Sequence, residues 1–415
     1  MTLLYRLGIA LYGAAARASS WWSPKARQWV SGRKNLIDRI ERECSERHPT
    51  IWMHCPSLGE FEQGRPVWEA LREQYPGYRG VITFFSPSGY EVQKDYPHAD
   101  HIYYLPEDTP RNAERFVQAL QPSLALFVKY DFWLHYLESL KNHGCTTLLV
   151  SGIFRPNQHF FGAFPALGNR MLNCFDYFFV QNEESEKLLR SKDFSHVQKA
   201  GDTRFDRVLK LSATPPDIQK VAAFTQNHKV VVAGSTWPAD IQALLPLFSE
   251  SDEDFRMIIA PHEVHESAIQ QLLETLPVKA GLFSAEEAIT HDTRVLVIDS
   301  IGMLSRLYHY ADVAYVGGGF GKSIHNLSEV AAWGVPVVFG PRHEKFNEAH
   351  ALKACGGGFA AEKEEDVAPL IRALMQDEAK RKSSGEAARA YLQSHAGATD
   401  AILGWIAEKG ILSGS

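Results

Sequence analysis

The chain has little of several things that would have placed it quickly. Cysteine is scarce: Cys44, Cys55, Cys145, Cys174 and Cys355 are scattered, odd in number and form no Cys-x-x-Cys pair. That excludes a disulfide scaffold or a cysteine-based zinc site and suits a reducing cytoplasm. An excess of basic residues is missing too, and the net charge of -6 gives no general reason to expect nucleic-acid binding. No run is apolar enough to cross a bilayer, which takes ~20 residues; the longest uncharged stretch near the N-terminus is Leu7 to Ala16. Low-complexity tracts and short-period repeats are absent, which excludes a solenoid. Between Met1 and Asn35 there is no acidic residue at all.

What fills that acid-free stretch is a mixture of Arg6, Arg17, Lys25, Arg27, Arg33 and Lys34 with Leu3, Leu4, Leu7, Ile9, Leu11, Trp21, Trp22 and Trp29. A basic, tryptophan-bearing amphipathic segment over 1–35 fits attachment to an anionic membrane surface better than spanning. The plainer alternative is an ordinary helix packed on the first domain. Ala14-Ala15-Ala16 is a weak cleavage-site candidate.

The remainder has the composition of a globular protein, 45% apolar and 22% charged, and 415 residues are too many for one core. Short apolar runs alternate with longer amphipathic ones. The pattern predicts strands at 51–54, 80–85, 101–104, 124–128, 146–151 and 177–181, with helices between them. A Pro-Pro segment, Lys210 to Asp217, reads as a linker. Strands then resume at 229–233, 256–260, 294–298, 313–316 and 335–339. Repeated β-then-α units predict parallel sheets covered by helices on both faces. The expected layout is an α/β chain of two doubly wound domains, 36–209 and 218–390, with a cleft between them and a C-terminal helix over 391–415.

The most informative turn is Pro56-Ser57-Leu58-Gly59-Glu60, between the strand ending near His54 and a helix. Strand ends followed by helix N-termini are where open α/β sheets place ligands. A lone Glu60 there is able to take a proton from an attacking hydroxyl. The competing reading is structural, because Ser57-x-x-Glu60 is also the pattern of a capping box.

Other motifs are less decisive. Gly317-Gly318-Gly319-Phe320-Gly321-Lys322-Ser323 lacks the glycine spacing of both the phosphate-binding loop and the dinucleotide fingerprint. It reads either as a turn whose backbone N–H groups approach an anion, or as a tight βα turn with Asn326 and Glu329 as cap and partner. Pro261-His262-Glu263-Val264-His265 lacks the His-Glu-x-x-His metal spacing and reads as a helix start, with His262 at a strand-end crevice. Lys129, Arg155 and Arg204 each follow a predicted strand, which suggests a positive crevice for an anionic substrate. Asp131 is expected either to be their ion-pair partner or to stabilise positive charge in a transition state.

Taken in order, IWMHCPSLGE (51–60), VKYDFW (128–133), SGIFRPNQ (151–158), FFVQNEES (178–185), GDTRFDRV (201–208), AGSTW (233–237), APHE (260–263), DSIGML (299–304), YVGGGF (315–320) and HNLSEVAAWGVPVVFGP (325–341) resemble the 3-deoxy-D-manno-octulosonic acid (Kdo) transferase family of lipopolysaccharide synthesis. The resemblance implies a GT-B fold of two Rossmann-like domains facing a central cleft. It implies inverting, metal-independent transfer of Kdo from CMP-Kdo to the lipid A precursor, lipid IVA, at the cytoplasmic face of the inner membrane. No cofactor, metal or nucleic acid is expected. On this carry-over Glu60 is the general base, and Asp131 and Arg204 are transition-state stabilisers. CMP contacts fall on Pro261, His262, Ile301, Gly302, Met303, Asn326, Leu327, Ser328 and Glu329. His262 stands where many members carry arginine, Asp131 replaces the commoner glutamate, and Lys129 stands where an acid is frequent. A GT-B transferase with another donor, or a non-catalytic binding scaffold, are the alternatives.

Overall fold

The structure, a computed structural model, describes residues 2–158, 161, 165–249, 255–285 and 289–413. The chain divides into two compact units: residues 1–206 with 396–415, and 207–395.

The first unit is built on a parallel sheet of β1 (Thr50–Cys55), β2 (Arg79–Phe84), β3 (His101–Tyr104), β4 (Pro122–Val128), β5 (Thr146–Gly152), β6 (Tyr177–Val180) and β7 (Val197–Lys199). Their order across the sheet is β3-β2-β1-β4-β5-β6-β7. Buried on both faces, the strands read as continuous apolar runs rather than alternating ones; all of β1 is buried. Its odd and even positions serve different cores. Ile51, Met53 and Cys55 pack with Phe61, Trp68 and Leu126 on one face. Trp52 packs with Phe116, Phe127 and Tyr136 on the other. The C-terminal helix Ala398–Glu408 returns to this unit and buries Ile402 and Ile406 against the first of these cores. Asp206 receives that helix, accepting from the backbone N–H of Gly397 (2.5 Å) and Thr399 (2.7 Å). A carboxylate at a helix N-terminus is favourable for both hydrogen bonding and the helix dipole.

The N-terminal segment forms helices Thr2–Ser19, Pro24–Gly32 and Leu36–Glu43. It does not present all its basic and apolar residues to solvent. Trp29 is buried, and Arg33 is drawn inward to donate to the carbonyls of Leu105 (2.8 Å) and Phe85 (2.9 Å) beneath the Trp29 ring. Burial pushes the Arg33 guanidinium down to about 10. Leu3, Leu4, Leu7, Leu11, Trp21 and Trp22 remain exposed, Trp21 at 86%. Among the described residues no helix is long and apolar enough to cross a membrane.

The second unit repeats the plan with β8 (Lys229–Thr236), β9 (Phe255–Pro261), β10 (Ala280–Leu282), β11 (Val295–Val297), β12 (Val313–Val316), β13 (Val337–Phe339) and β14 (Gly358–Ala360). The parallel order is β10-β11-β9-β8-β12-β13-β14. Strands β7, β10 and β14 were not foreseen from sequence. Each lies at or beside a sheet edge, spans three residues and carries small or polar side chains, too brief a pattern for periodicity to register.

Candidate active site

In each sheet the strand order reverses direction once: beside β1 and β4 in the first unit, beside β8 and β12 in the second. Ligands of open α/β sheets bind outside the carboxyl ends of the strands at such a point. The residues singled out from sequence follow these strands or their near neighbours.

In the first unit, Glu60 lies in the first turn of helix Leu58–Gln74, directly after β1. The Ser57 hydroxyl donates to the Glu60 carboxylate, and the Ser57 side chain makes no capping bond to the helix backbone. The capping-box alternative is therefore not what the fold adopts. Glu60 Oε1 also accepts from Lys129 Nζ at 3.1 Å, the two side chains being 18% and 23% exposed. Lys129 follows β4 with φ of +66°, a left-handed backbone uncommon outside glycine, and its N–H donates to Val150 O (2.9 Å). That reversal turns the lysine toward β1 rather than along its own loop.

Asp131 is not the partner of Lys129, contrary to one sequence expectation. Its Oδ2 accepts from Trp133 Nε1 and faces His54 Nε2, each at 3.0 Å. Adjacency in sequence misled here because the left-handed Lys129 separates the directions of the two side chains. Arg204 starts helix Thr203–Ser212 and is held by Asp202, through Nη2 at 2.7 Å and Nε at 3.0 Å. Asp202 also accepts from Gln63 (3.4 Å), and Thr203 donates to the Gln63 carbonyl. Since Gln63 is one turn beyond Glu60, the elements bearing Glu60 and Arg204 are tied together. Arg155 is exposed, with its backbone N–H on Gln158. Of the expected crevice cations, Lys129 and Arg204 are thus each held by an acid. His54 was not singled out from sequence; its only signal was a histidine inside an otherwise buried strand.

In the second unit, His262 follows β9 and stacks on Trp237, which follows β8 (centroids 4.3 Å apart, 24° between planes). Its other neighbour is the His325 ring at 4.8 Å. Burial, and then the nearby His262, hold the His325 imidazole below its usual range. Pro261 and Trp237 also border a half-open cavity of about 200 Å³ with Glu263, His265 and Gln271. Asn326 accepts from Ser328 N–H (3.1 Å) and Oγ (2.6 Å), and donates to Glu329 Oε1 (3.2 Å). Leu327 and Ser328 are buried. Ile301 and Gly302 are exposed and Met303 half-buried, in the loop beyond β11. Thus Pro261–His262 and His325–Asn326 come together around Trp237, with Ile301–Met303 on the same edge of the sheet.

The glycine run serves packing more than an anion. The Gly318 N–H donates to the buried Asp240 carboxylate (2.9 Å), which also takes Trp237 N–H (2.8 Å) and Tyr315 O–H (2.6 Å). A Cβ on Gly319 would lie 2.6 Å from the Gly340 backbone, so only glycine admits that approach. Neither Trp237 nor Asp240 was named as a site residue from sequence. Among the described residues, no cluster of three or more His, Cys, Asp or Glu is placed to hold a metal ion.

Comparison with known proteins agrees with this architecture. Residues 31–207 match the family model described as 3-deoxy-D-manno-octulosonic-acid transferase (kdotransferase). The chain is 28% identical over 326 residues to a 3-deoxy-D-manno-octulosonic acid transferase of Chlamydophila psittaci, covering 76% of this chain and 75% of that one. It is 27% identical over 376 residues to the transferase of the same name from Chlamydia pneumoniae, covering 85% and 83%. Among solved structures, MurG of Acinetobacter baumannii superposes with a TM-score of 0.56 at 15% identity, over 87% of this chain and 100% of that one. The last comparison bears on fold alone: two Rossmann-like domains of the GT-B type. The resemblance to the Kdo transferase family, read first from ordered motifs, is borne out.

Proposed function

We propose, starting from a chain that carries the Kdo transferase family's domain at residues 31–207, that it transfers Kdo from CMP-Kdo to a hydroxyl of lipid IVA. Transfer inverts the anomeric centre and requires no metal. The single observation that carries this reading is the setting of Glu60: a carboxylate at a sheet switch point, gripped by Ser57 and Lys129 rather than spent on a helix cap. The acceptor hydroxyl attacks the anomeric carbon of Kdo. Its proton passes to Glu60, the bond from that carbon to the phosphate oxygen breaks, and CMP leaves as a phosphate monoester.

Asp131 and Arg204 complement the charges that develop. Positive charge grows on the sugar ring as the leaving group departs, and a fixed carboxylate lowers the energy of that state. Arg204 supplies a cation for the Kdo carboxylate or the departing phosphate, already oriented by Asp202. Pro261 and His262, Ile301 to Met303, and Asn326 to Glu329 are the proposed CMP contacts. The exposed Leu3, Leu4, Leu7, Leu11, Trp21 and Trp22 give the N-terminal helices a face for an anionic membrane at the cytoplasmic side, where a lipid acceptor resides.

The experiment is mass spectrometry of the product formed from lipid IVA with CMP-Kdo or with UDP-hexoses. A mass gain of Kdo together with CMP release is expected. UDP release without CMP release would replace the donor assignment, and no transfer from any donor would favour a binding scaffold.

A further inference from the structure

His54 sits in the central strand β1, wholly buried, yet its ring bridges both neighbouring strands. On one side Nδ1 lies 2.9 Å from Thr83 Oγ1 of β2, its register partner. On the other side Nε2 lies 3.0 Å from Asp131 Oδ2, in the loop after β4. Thr83 Oγ1 already accepts a hydrogen bond from Trp52 Nε1 at 2.9 Å. A hydroxyl has one proton and two acceptor sites. With one acceptor site taken by Trp52, the Thr83 proton is free to donate to Nδ1, which leaves the ring proton on Nε2 to donate to Asp131. The opposite neutral tautomer would set the Nε2 lone pair against a carboxylate oxygen. Trp52, Thr83 and His54 therefore form a directed chain ending on Asp131. Trp133 Nε1 reaches the same Oδ2, so both donors converge on one oxygen. Oδ1 has no protein donor among the described residues and is left for substrate. A histidine in a core strand is costly unless its nitrogens are satisfied; here both are, and one of them is aimed at a residue of the candidate site.

We propose that His54 is the positioning residue for Asp131, with Thr83 setting its tautomer, so that one carboxylate oxygen is held and the other is presented to the reacting sugar. This rests on the reading of Asp131 as a transition-state stabiliser. His54 touches no substrate and acts only through Asp131.

The test is a set of variants assayed for kcat and KM with CMP-Kdo and lipid IVA, each also melted thermally. His54→Leu keeps bulk and removes the donor; kcat is expected to fall roughly tenfold to a hundredfold, the range for groups that orient a working side chain, with donor KM little changed. His54→Gln places an amide donor near the Nε2 position and is expected to recover most of that loss. Thr83→Val, nearly isosteric, removes the proton that sets the tautomer and should lower kcat severalfold. The double variant His54→Leu with Asp131→Asn should be no slower than Asp131→Asn alone, because coupled residues do not lose activity independently. Losses that multiply, a Gln variant as impaired as Leu, or a His54→Leu protein with normal kcat would each overturn the proposal. If His54→Leu does not fold, the Gln and Val variants decide between the same outcomes. An Asp131→Asn enzyme with normal kcat would instead overturn the reading of Asp131, and a damaged Asp131→Asn beside an intact His54→Leu would overturn this inference alone.

Discussion

The two sheets present the same topological place in different chemistry. At the carboxyl edge of the first, charges answer charges: Glu60 with Lys129, Arg204 with Asp202, Asp131 with His54 and Trp133. At the edge of the second, rings and close-packed backbone dominate: Trp237 on His262, His262 beside His325, and Gly319 against Gly340. Both edges carry non-glycine residues in left-handed backbone, Lys129 and Ser151 in the first and Ser235 in the second. Such strain is costly and concentrates at functional sites. One strand plan has thus been furnished for two tasks. A fixed set of paired charges suits proton transfer and a developing cation, whereas stacked rings on a rigid turn suit holding a planar base and its phosphate.

The comparison predicts that damage to the first edge appears in kcat and damage to the second in donor affinity. Glu60→Gln should give a folded protein that binds CMP normally while transfer falls by roughly 10²–10⁴-fold, the usual worth of general-base help. Turnover near wild type in a burst-free steady-state assay would break the division of labour at its strongest point. Trp237→Ala should do the reverse. Stacking on an aromatic is worth about 1–3 kcal/mol per base, so CMP affinity by calorimetry should weaken between roughly fivefold and a hundredfold with kcat nearly unchanged. A Trp237→Ala enzyme impaired in kcat alone would show that the second edge also takes part in the chemical step.

How much of this was legible beforehand differs between the edges for physical reasons. The strands of both sheets were readable wherever an apolar run exceeded three residues, and Glu60 was readable because a strand, a turn and a first-turn carboxylate are contiguous. The grip of Lys129 on Glu60 was not, since it depends on β4 lying beside β1 and on a left-handed residue that sequence does not announce. His54 was invisible for the same reason: its partners come from β2 and from beyond β4. In the second unit the glycine run was noticed and its cause left open. The structure assigns it mainly to close packing, where Asp240 consumes a backbone donor that an anion would otherwise have used. The return of helix Ala398–Glu408 to the first unit also went unread, because its anchor, Asp206, lies nearly two hundred residues away (|i−j| of 191).

A smaller effect tests the packing half of the comparison. Gly319→Ala places a methyl 2.6 Å from the Gly340 backbone, which has no flexible side chain to yield. Overpacking of this kind costs typically about 1–3 kcal/mol. Thermal unfolding should show the second unit destabilised while hydrogen exchange in β1 and β4 is unaffected. Loss of protection in both units together would mean that they unfold as one.

The smallest effect separates the edges by sign. Asp108, just beyond β3, accepts from Tyr5 O–H (2.5 Å) and from the N–H groups of His135 and Tyr136 (3.2 Å each), so it serves as the cap that Trp133 does not supply to helix Leu134–Asn142. Burial outweighs these bonds and pushes the Asp108 carboxyl up to about 6 from the ordinary 3.8. A carboxyl raised in the folded state contributes stability that is complete below its unfolded value and lost as pH climbs through the folded one. Local stability of the first edge should therefore fall between about pH 4 and 6. His325 is shifted in the opposite direction, its imidazole held below the usual 6.5 mainly by burial. Its contribution is complete above pH 6.5 and is lost as the solution is acidified below that. Hydrogen exchange followed from pH 7.5 to 4, with Asp108→Asn and His325→Gln as references, should show the helix Leu134–Asn142 gaining protection from Asp108 while the turn around His325 loses it. Parallel trends at the two edges, or trends that survive both substitutions, would mean that neither group governs the acid response of its own unit.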